Sequence, residues 1–262
     1  MGASPTVLVT NDDGIGSRFL IELTNALGKR LEVFVCAPDG ERSWTGHAIS
    51  RHERLVPEVV EGMNCPAWKV NGTPADCVNL ALGHLLPRRP DAVVSGINLG
   101  YNVTWPMILS SGTIGGALEG TLEGIPSMAV SMSLPPEEFD LIREKQGEVH
   151  GALLDSLRVT ARKATLFAEK LAASSEEQRF VVHNLNFPES STEETPMMEV
   201  EPARLRLGSL FAPDDTGGYQ LLYRTEWLDE ADPEPNTDLA ALRMGKASHA
   251  IIDFAKAAPA ND

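Results

Sequence analysis

At 262 residues, 42% hydrophobic and 23% charged, the chain suits one large α/β domain or a domain with an appendage, and it can bury a substantial core. Its formal net charge of −15 argues against a general binder of nucleic-acid polymers, since such proteins neutralise phosphates with Lys and Arg. No apolar run is long enough to span a bilayer, and the first residues pass into a strand without a basic or apolar leader, so a cytoplasmic protein away from membranes is expected.

The first predicted element is a buried strand at residues 7–10. It stops at Asn11-Asp12-Asp13-Gly14, a cluster of turn formers. Two carboxylates therefore stand at a strand's C-terminal edge, where open α/β sheets bind ligands. Adjacent side chains of a regular strand point to opposite faces, so Asp12 and Asp13 reach one ligand only if the chain turns beneath them, and Gly14 permits that turn. Two carboxylates about 4 Å apart repel by about 4 kcal/mol at an effective dielectric near 20. A divalent cation with oxygen ligands would relieve the repulsion, while a turn that only caps the next helix is the plainer alternative.

Phe19, Leu20, Leu23, Ala26 and Leu27 follow helical spacing, with Gly28-Lys29-Arg30 closing the helix. A strand is predicted at 31–37, followed by a polar loop at 38–46 that offers Ser43 as a possible ligand. Thr73-Pro74-Ala75-Asp76 reads as a helix start, with Thr73 as N-cap and Val78, Leu82 and Leu85 facing the core; Pro87 ends the helix. Residues 91–94 form a further strand whose exit delivers Asn98 and Asn102 among glycines. The run from Ser110 through Ser111, Gly112 and Thr113 to Gly120 opens a helix whose amides suit a phosphate, or else packs closely on the sheet. It is not a P-loop, because no Gly-Lys-Ser/Thr follows at the required spacing.

A strand at 125–131 completes an alternation of strands and helices that predicts a parallel, doubly wound sheet in a three-layer, Rossmann-like α/β fold. The second half offers a long amphipathic helix from Leu153 to Leu171, a strand at 180–185 and an acidic loop at 190–202. Two strands at 204–210 and 220–228 then read as a hairpin around Asp214-Asp215-Thr216-Gly217-Gly218, and 229–236 as linker-like. Residues 1–200 thus form the core, and 201–262 a hairpin arm with a closing segment of the same domain. An isolated hairpin is marginal in water, so Leu205, Leu207, Leu222 and Trp227 need another surface to bury against.

Charge is uneven: residues 1–131 carry 13 acids against 9 bases, and 132–262 carry 24 against 13. A protein this acidic that handles phosphate must supply local positive character through a metal, helix N-termini or backbone amides. Cys36, Cys65 and Cys77 match no zinc or redox spacing, and the six histidines include no pair at metal-ligand spacing on one helix, so neither residue type is assigned a metal.

Taken together, five motifs resemble the stationary-phase survival protein SurE family of metal-dependent 5′/3′-nucleotidases with acid-phosphatase activity. They are Val9-Thr10-Asn11-Asp12-Asp13-Gly14-Ile15, Ala37-Pro38-Asp39 with Arg42-Ser43, Gly72-Thr73-Pro74-Ala75-Asp76-Cys77-Val78, Ser95-Gly96-Ile97-Asn98 and Ser111-Gly112-Thr113. A weaker likeness returns at Thr237-Asp238 and residues 250–254. The resemblance implies one divalent metal, Mg²⁺ or Mn²⁺, on Asp12, Asp13, Ser43 and Asn98, with Asp12 and Asn98 taking part in catalysis. It implies a phosphate cradle of Asn102, Ser111, Gly112 and Thr113, hydrolysis of nucleoside monophosphates or other phosphomonoesters by water that the metal activates, and a homodimer or tetramer built through exchanged C-terminal arms. Trp44 follows Ser43 where the family usually has glycine, and Ser110 stands where tyrosine is usual. The alternatives are a haloacid-dehalogenase-like phosphatase, whose Asp-x-Asp pattern this chain lacks, and a non-catalytic nucleotide-binding sensor.

Overall fold

Strand β1 (Thr6–Thr10) is buried along its whole length, and the sheet grows outward from it on both sides. The computed structural model describes residues 4–174, 180–221 and 233–257. β1 lies parallel between β2 (Glu32–Pro38) and β5 (Ala92–Leu99). Beyond β2 come β4 (Ala67–Val70), parallel, and the edge strand β3 (Pro57–Val59), antiparallel. Beyond β5 come β6 (Ser127–Met132) and β7 (Val181–Phe187), both parallel, then β11 (Ala247–Asp253), antiparallel to β7, and β8 (Met197–Val200) at the far edge. The chain fills one side of β1 before returning to the other, so strand order reverses between β1 and β5. That reversal opens a crevice at the strands' C-terminal ends.

Helices cover both faces. Val7 and Val9 of β1 join a cluster with Phe19 and Leu23 of α1 (Arg18–Leu27) and Leu157 of α6 (Gly151–Ala172). Leu8 turns the other way, toward Cys77 and Val78 of α2 (Pro74–Leu80), which itself packs against α4 (Gly112–Leu122). One strand therefore feeds two hydrophobic layers, which is why it reads as a continuous apolar run. Each fully buried Val or Leu there contributes roughly 1.5–3 kcal/mol.

The start of α2 is set locally. Thr73 Oγ1 accepts from Asp76 N at 3.1 Å while Asp76 Oδ2 accepts from Thr73 N at 2.8 Å, and Pro74 supplies a first-turn φ. The helix loosens into a π-turn at Ala81–Leu85 before Leu86 becomes extended ahead of Pro87. In β5 the register against β6 shifts between Ser95 and Asn98. Gly96 makes this possible: its φ is +138°, and a Cβ there would fall 2.3 Å from the Val130 carbonyl oxygen. The irregularity leaves Asn98 half-buried at the crevice while its neighbours Ile97 and Leu99 are buried.

Several expectations require correction. The helix expected from Ser110 is two: α3 (Trp105–Ser110) ends before Ser111 caps α4. The acidic loop at 190–202 contains β8, a four-residue edge strand whose Met198 and Val200 pack inward while Met197 and Glu199 are exposed. Residues 204–210 are not a strand; Leu207 is buried with Val103, Ala203 and Leu239, and Leu205 packs against the same group. The hairpin is β9 (Phe211–Pro213) with β10 (Tyr219–Leu221), held by Asp214 accepting from the Thr216 and Gly218 amides. Residues 222–228 of the expected second strand, with Leu222 and Trp227, and 229–232 of the expected linker lie outside the described residues. Helix α5 (Phe139–Glu144), strands β3 and β4 and helix α7 (Asp238–Arg243) were unpredicted. Asp238 is fully buried and accepts from the amides of Thr104 and Ala203, pinning α7 beside α3. Among the described residues all three cysteines are free thiols, and no helix is long and apolar enough to cross a membrane.

A buried histidine pair joins β7 to β11. His183 Nδ1 and His249 Nε2 are 2.9 Å apart, and both rings meet the Phe167 ring edge-on. Burial lowers the His183 ring to about 4, with the neighbouring His249 adding to the effect, and burial lowers His249 as well. A histidine whose folded value lies below its unfolded one binds fewer protons folded, so its contribution is present at neutral pH and lost as pH falls. Denaturant unfolding should show stability declining from about pH 6.5 toward pH 4, with a shallower decline in His183→Gln; an equal slope in both proteins would remove the pair as the cause.

Candidate active site

Where β1 ends, the turn is under side-chain and glycine control. Asn11 Nδ2 donates to the Gly14 carbonyl at 3.0 Å, and Gly14 has φ +94°. A Cβ on Gly14 would come within 3.0 Å of the Gly40 backbone, so the loop after β2 packs directly on the turn. The turn lets Asp12 and Asp13 both face one cleft of about 920 Å³, as the Gly14 argument anticipates. Ser43, Asn98, Asn102 and Ser111 line the same cleft, which brings together residues from β1, β2, β5 and the start of α4.

Each carboxylate has its own restraint. Thr113 Oγ1 donates to Asp12 Oδ1 at 2.6 Å, and the Leu99 amide donates to Asp13 Oδ2 at 3.1 Å. Thr113 is the second residue of α4, so Asp12 also meets the positive end of that helix. The approach is tight: a Cβ on Gly112 would sit 2.9 Å from Asp12 Cβ. Asn102 holds this arrangement from behind, its Nδ2 donating to Ser131 Oγ at 2.9 Å and Thr113 Oγ1 at 3.3 Å. Its own backbone is gripped by Asn184 and Asn186 of β7. Ser111 Oγ accepts from the Ile114 amide at 3.2 Å, and Asn98 Nδ2 donates to the Gly100 carbonyl at 3.1 Å. Both leave an atom for a ligand, the Ser111 hydroxyl proton and Asn98 Oδ1.

The loop after β2 is anchored at several points. The Arg42 amide donates to the Asp12 carbonyl at 2.7 Å, and the Gly46 amide to the Ser110 carbonyl at 2.9 Å. A Cβ on Gly115 of α4 would meet the Gly46 carbonyl oxygen at 2.4 Å, so loop and helix touch backbone to backbone. Further along, His47 Nε2 pairs with the buried Glu119 Oε2 at 2.7 Å, and Asn79 Nδ2 donates to Glu119 Oε1 at 2.8 Å. Within the loop Ser43 Oγ donates to Glu41 Oε1 at 2.8 Å, and Glu41 Oε2 lies 3.3 Å from Arg143 of α5.

Burial pushes the Asp12 carboxyl up to about 6, against the pull of the Thr113 hydrogen bond. Asp13 is pushed well above the usual carboxylate range, first by burial and then by the Asp12 charge, with Glu41 adding a smaller push. Among the described residues no Lys, Arg or His forms an ion pair with either carboxylate, although Arg143 lines the same cleft. Among the described residues no group of three His, Cys, Asp or Glu side chains is arranged to hold a metal ion. The donors available are two carboxylates, an amide oxygen and a hydroxyl, an all-oxygen set of the kind a hard divalent cation takes. The buried, uncompensated negative charge fits such an ion.

Cleft residues that the sequence reading does not assign to the site include Glu41, Tyr101, Met107, Phe139, Asp140, Arg143 and Leu221. Glu41 sat inside the polar loop already singled out. Nothing local marks Phe139 or Arg143, whose place depends on how residues 134–147 fold back over the strand ends. In metal-free protein the Thr113→Val variant should raise the Asp12 carboxyl further, by roughly one unit for the loss of a charge-assisted hydrogen bond, as read by carbon NMR titration. An unchanged titration would mean the hydroxyl does not hold that carboxylate.

The profile of the family described as Survival protein SurE matches residues 7–207. A protein of Desulfovibrio desulfuricans named 5′-nucleotidase SurE is 41% identical over 243 residues, 91% of this chain and 89% of that protein. Its namesake in Heliobacterium modesticaldum is 34% identical over 252 residues, 95% and 86% of the two chains. The namesake in Desulforudis audaxviator is 50% identical over 138 residues, and there the match spans about half of each chain, 51% and 53%. Among solved structures, the crystal structure of the SurE protein from Aquifex aeolicus matches with a TM-score of 0.74 at 27% identity, over 95% of this chain and 93% of that one.

Proposed function

The chain belongs to the SurE family, and on that premise we propose that it is a nucleotidase, hydrolysing nucleoside 5′- and 3′-monophosphates to nucleoside and phosphate with one Mg²⁺ or Mn²⁺ per subunit. The observation that carries the proposal is the pair of carboxylates at the reversal of strand order, Asp12 buried and Asp13 half-buried, pushed toward protonation by burial and, among the described residues, without an ion-pair partner. Asp12, Asp13, Ser43 and Asn98 are the ligands we assign to the cation. When bound, it supplies Lewis-acid chemistry, lowering the pKa of a water and offsetting charge on the phosphoryl oxygens.

The chain's own residues do the positioning. Thr113 fixes the orientation of Asp12, and the start of α4 presents its dipole and amides at Gly112 and Thr113 to an anion. Ser111 offers its hydroxyl proton, while Asn102 braces Thr113 against β7. Asp12 and Asn98 are the side chains placed to touch the reacting group. Family membership sets aside the haloacid-dehalogenase-like alternative. A net charge of −15 accords with a small phosphate ester as substrate rather than a nucleic-acid polymer, and with a cytoplasmic enzyme.

The assembly proposal is a homodimer at least, with part of the chain beyond residue 200 in the contact. Phe211, Tyr219 and Leu221 on the short hairpin are exposed, and a lone hairpin needs a surface to lie on. Light scattering at micromolar concentration should report a dimer or tetramer, and a monomer would refute it.

Phosphate release from nucleoside monophosphates should require a divalent cation. Asp13→Asn should lower kcat/KM by about a hundredfold or more, since it removes one of two charges facing the ion. The same variant should abolish the rise in melting temperature that Mn²⁺ gives the wild type. Full activity in excess chelator would sink the metal assignment.

A further inference from the structure

The cleft is far larger than a phosphate group needs. At about 920 Å³ it reaches the upper end of small-molecule sites. With Asp12, Asp13 and Asn98 taken as its floor, the remaining lining holds Trp44, Tyr101, Met107, Phe139 and Leu221 together with the charged Glu41, Asp140 and Arg143. Phe139 is fixed over the floor's edge: a Cβ on Gly100 would meet its ring at 3.3 Å, and the side chain packs on the main core. Aromatic and apolar side chains beside that floor suit a ligand with a flat, weakly polar end and an anionic end.

Trp44 stands out among these walls. It is adjacent to Ser43 and holds φ at +61°, a conformation that is a true outlier for a bulky aromatic residue. Such strain persists only where neighbouring contacts over-determine the backbone. Here they do: the Arg42 amide is bonded to the Asp12 carbonyl, Thr45 Oγ1 donates to the Arg42 carbonyl at 2.8 Å, and the Gly46 amide is bonded to Ser110. The Glu41–Arg143 ion pair ties the same loop across to α5. The loop thus presents an indole to the cleft at a backbone position that glycine would occupy without strain.

Resting on the nucleotidase reading of this cleft, we propose that Trp44 is the wall against which the substrate's nucleobase stacks, so that the protein selects phosphomonoesters bearing a base over small ones that lack it. Stacking is tolerant of base identity, because every base has a π-face. Selection is therefore between base and no base, more than among bases.

The test compares kcat/KM for adenosine 5′-monophosphate and glycerol phosphate in wild type, Trp44→Gly and Trp44→Phe, each with Mn²⁺ and with folding checked by melting curve. The expected result is a ratio that falls about tenfold in Trp44→Gly, mainly through KM for the nucleotide, and is largely kept in Trp44→Phe. An unchanged ratio in Trp44→Gly overturns the inference, as does Trp44→Phe losing as much as Trp44→Gly, since a phenyl ring still stacks. Wild-type protein that hydrolyses neither ester would instead overturn the nucleotidase reading and this inference with it.

Discussion

Two carboxylates withdrawn from water at the end of a buried strand set the terms for everything around them. Asp12 and Asp13 repel each other and, among the described residues, have no ion-pair partner, so hydrogen bonds keep them where they are. Thr113 and the Leu99 amide supply those bonds, and each comes from a different element. Thr113 in turn needs Asn102, and Asn102 needs the amides of Asn184 and Asn186 on β7. The network therefore runs sideways through the sheet, from β1 across β5 and β6 to β7. The site is a property of the strand order and not of the Asp-Asp pair alone.

Local signals account for what was legible. β1 reads as an apolar run because it is buried on both faces, and α2 announces itself through Thr73, Pro74 and Asp76, whose reciprocal bonds are all within four residues. The three strand ends that converge on the cleft were likewise visible as polar, glycine-bearing exits. Edge strands β3 and β8 are three and four residues long, too short to leave a clear periodic trace. The far wall of the cleft was hidden for another reason. Arg143 meets Glu41 across 102 positions of sequence, and no local pattern encodes that meeting. The five-motif resemblance reached the family, but the hairpin's register was misplaced because Leu205 and Leu207 alternate like a strand while packing as an irregular segment on Val103 and Leu239.

Glycine does two separate jobs near the site. At Gly14 and Gly96 it supplies backbone angles that turn side chains toward the cleft. At Gly112, Gly115 and Gly116 of α4 the angles are ordinary and absence of bulk is what matters: each would place a Cβ within 3.0 Å of Asp12, of the Gly46 carbonyl or of Thr10. That is why the run looked equally like an anion-binding helix start and a packing face. In this fold the close packing is realised, and the start of the helix borders the cleft at Ser111.

The grip of α4 on the loop after β2 has a mechanical consequence. The helix holds that loop at Gly46 by backbone contact and at His47 through buried Glu119, while its first turn holds Asp12. Loop, helix and the turn after β1 are coupled into one jaw, clamped along nearly two turns of helix. The opposite jaw, residues 134–143, meets it in this loop through one partly exposed ion pair. Asp12 is therefore held through the first jaw, independently of that ion pair.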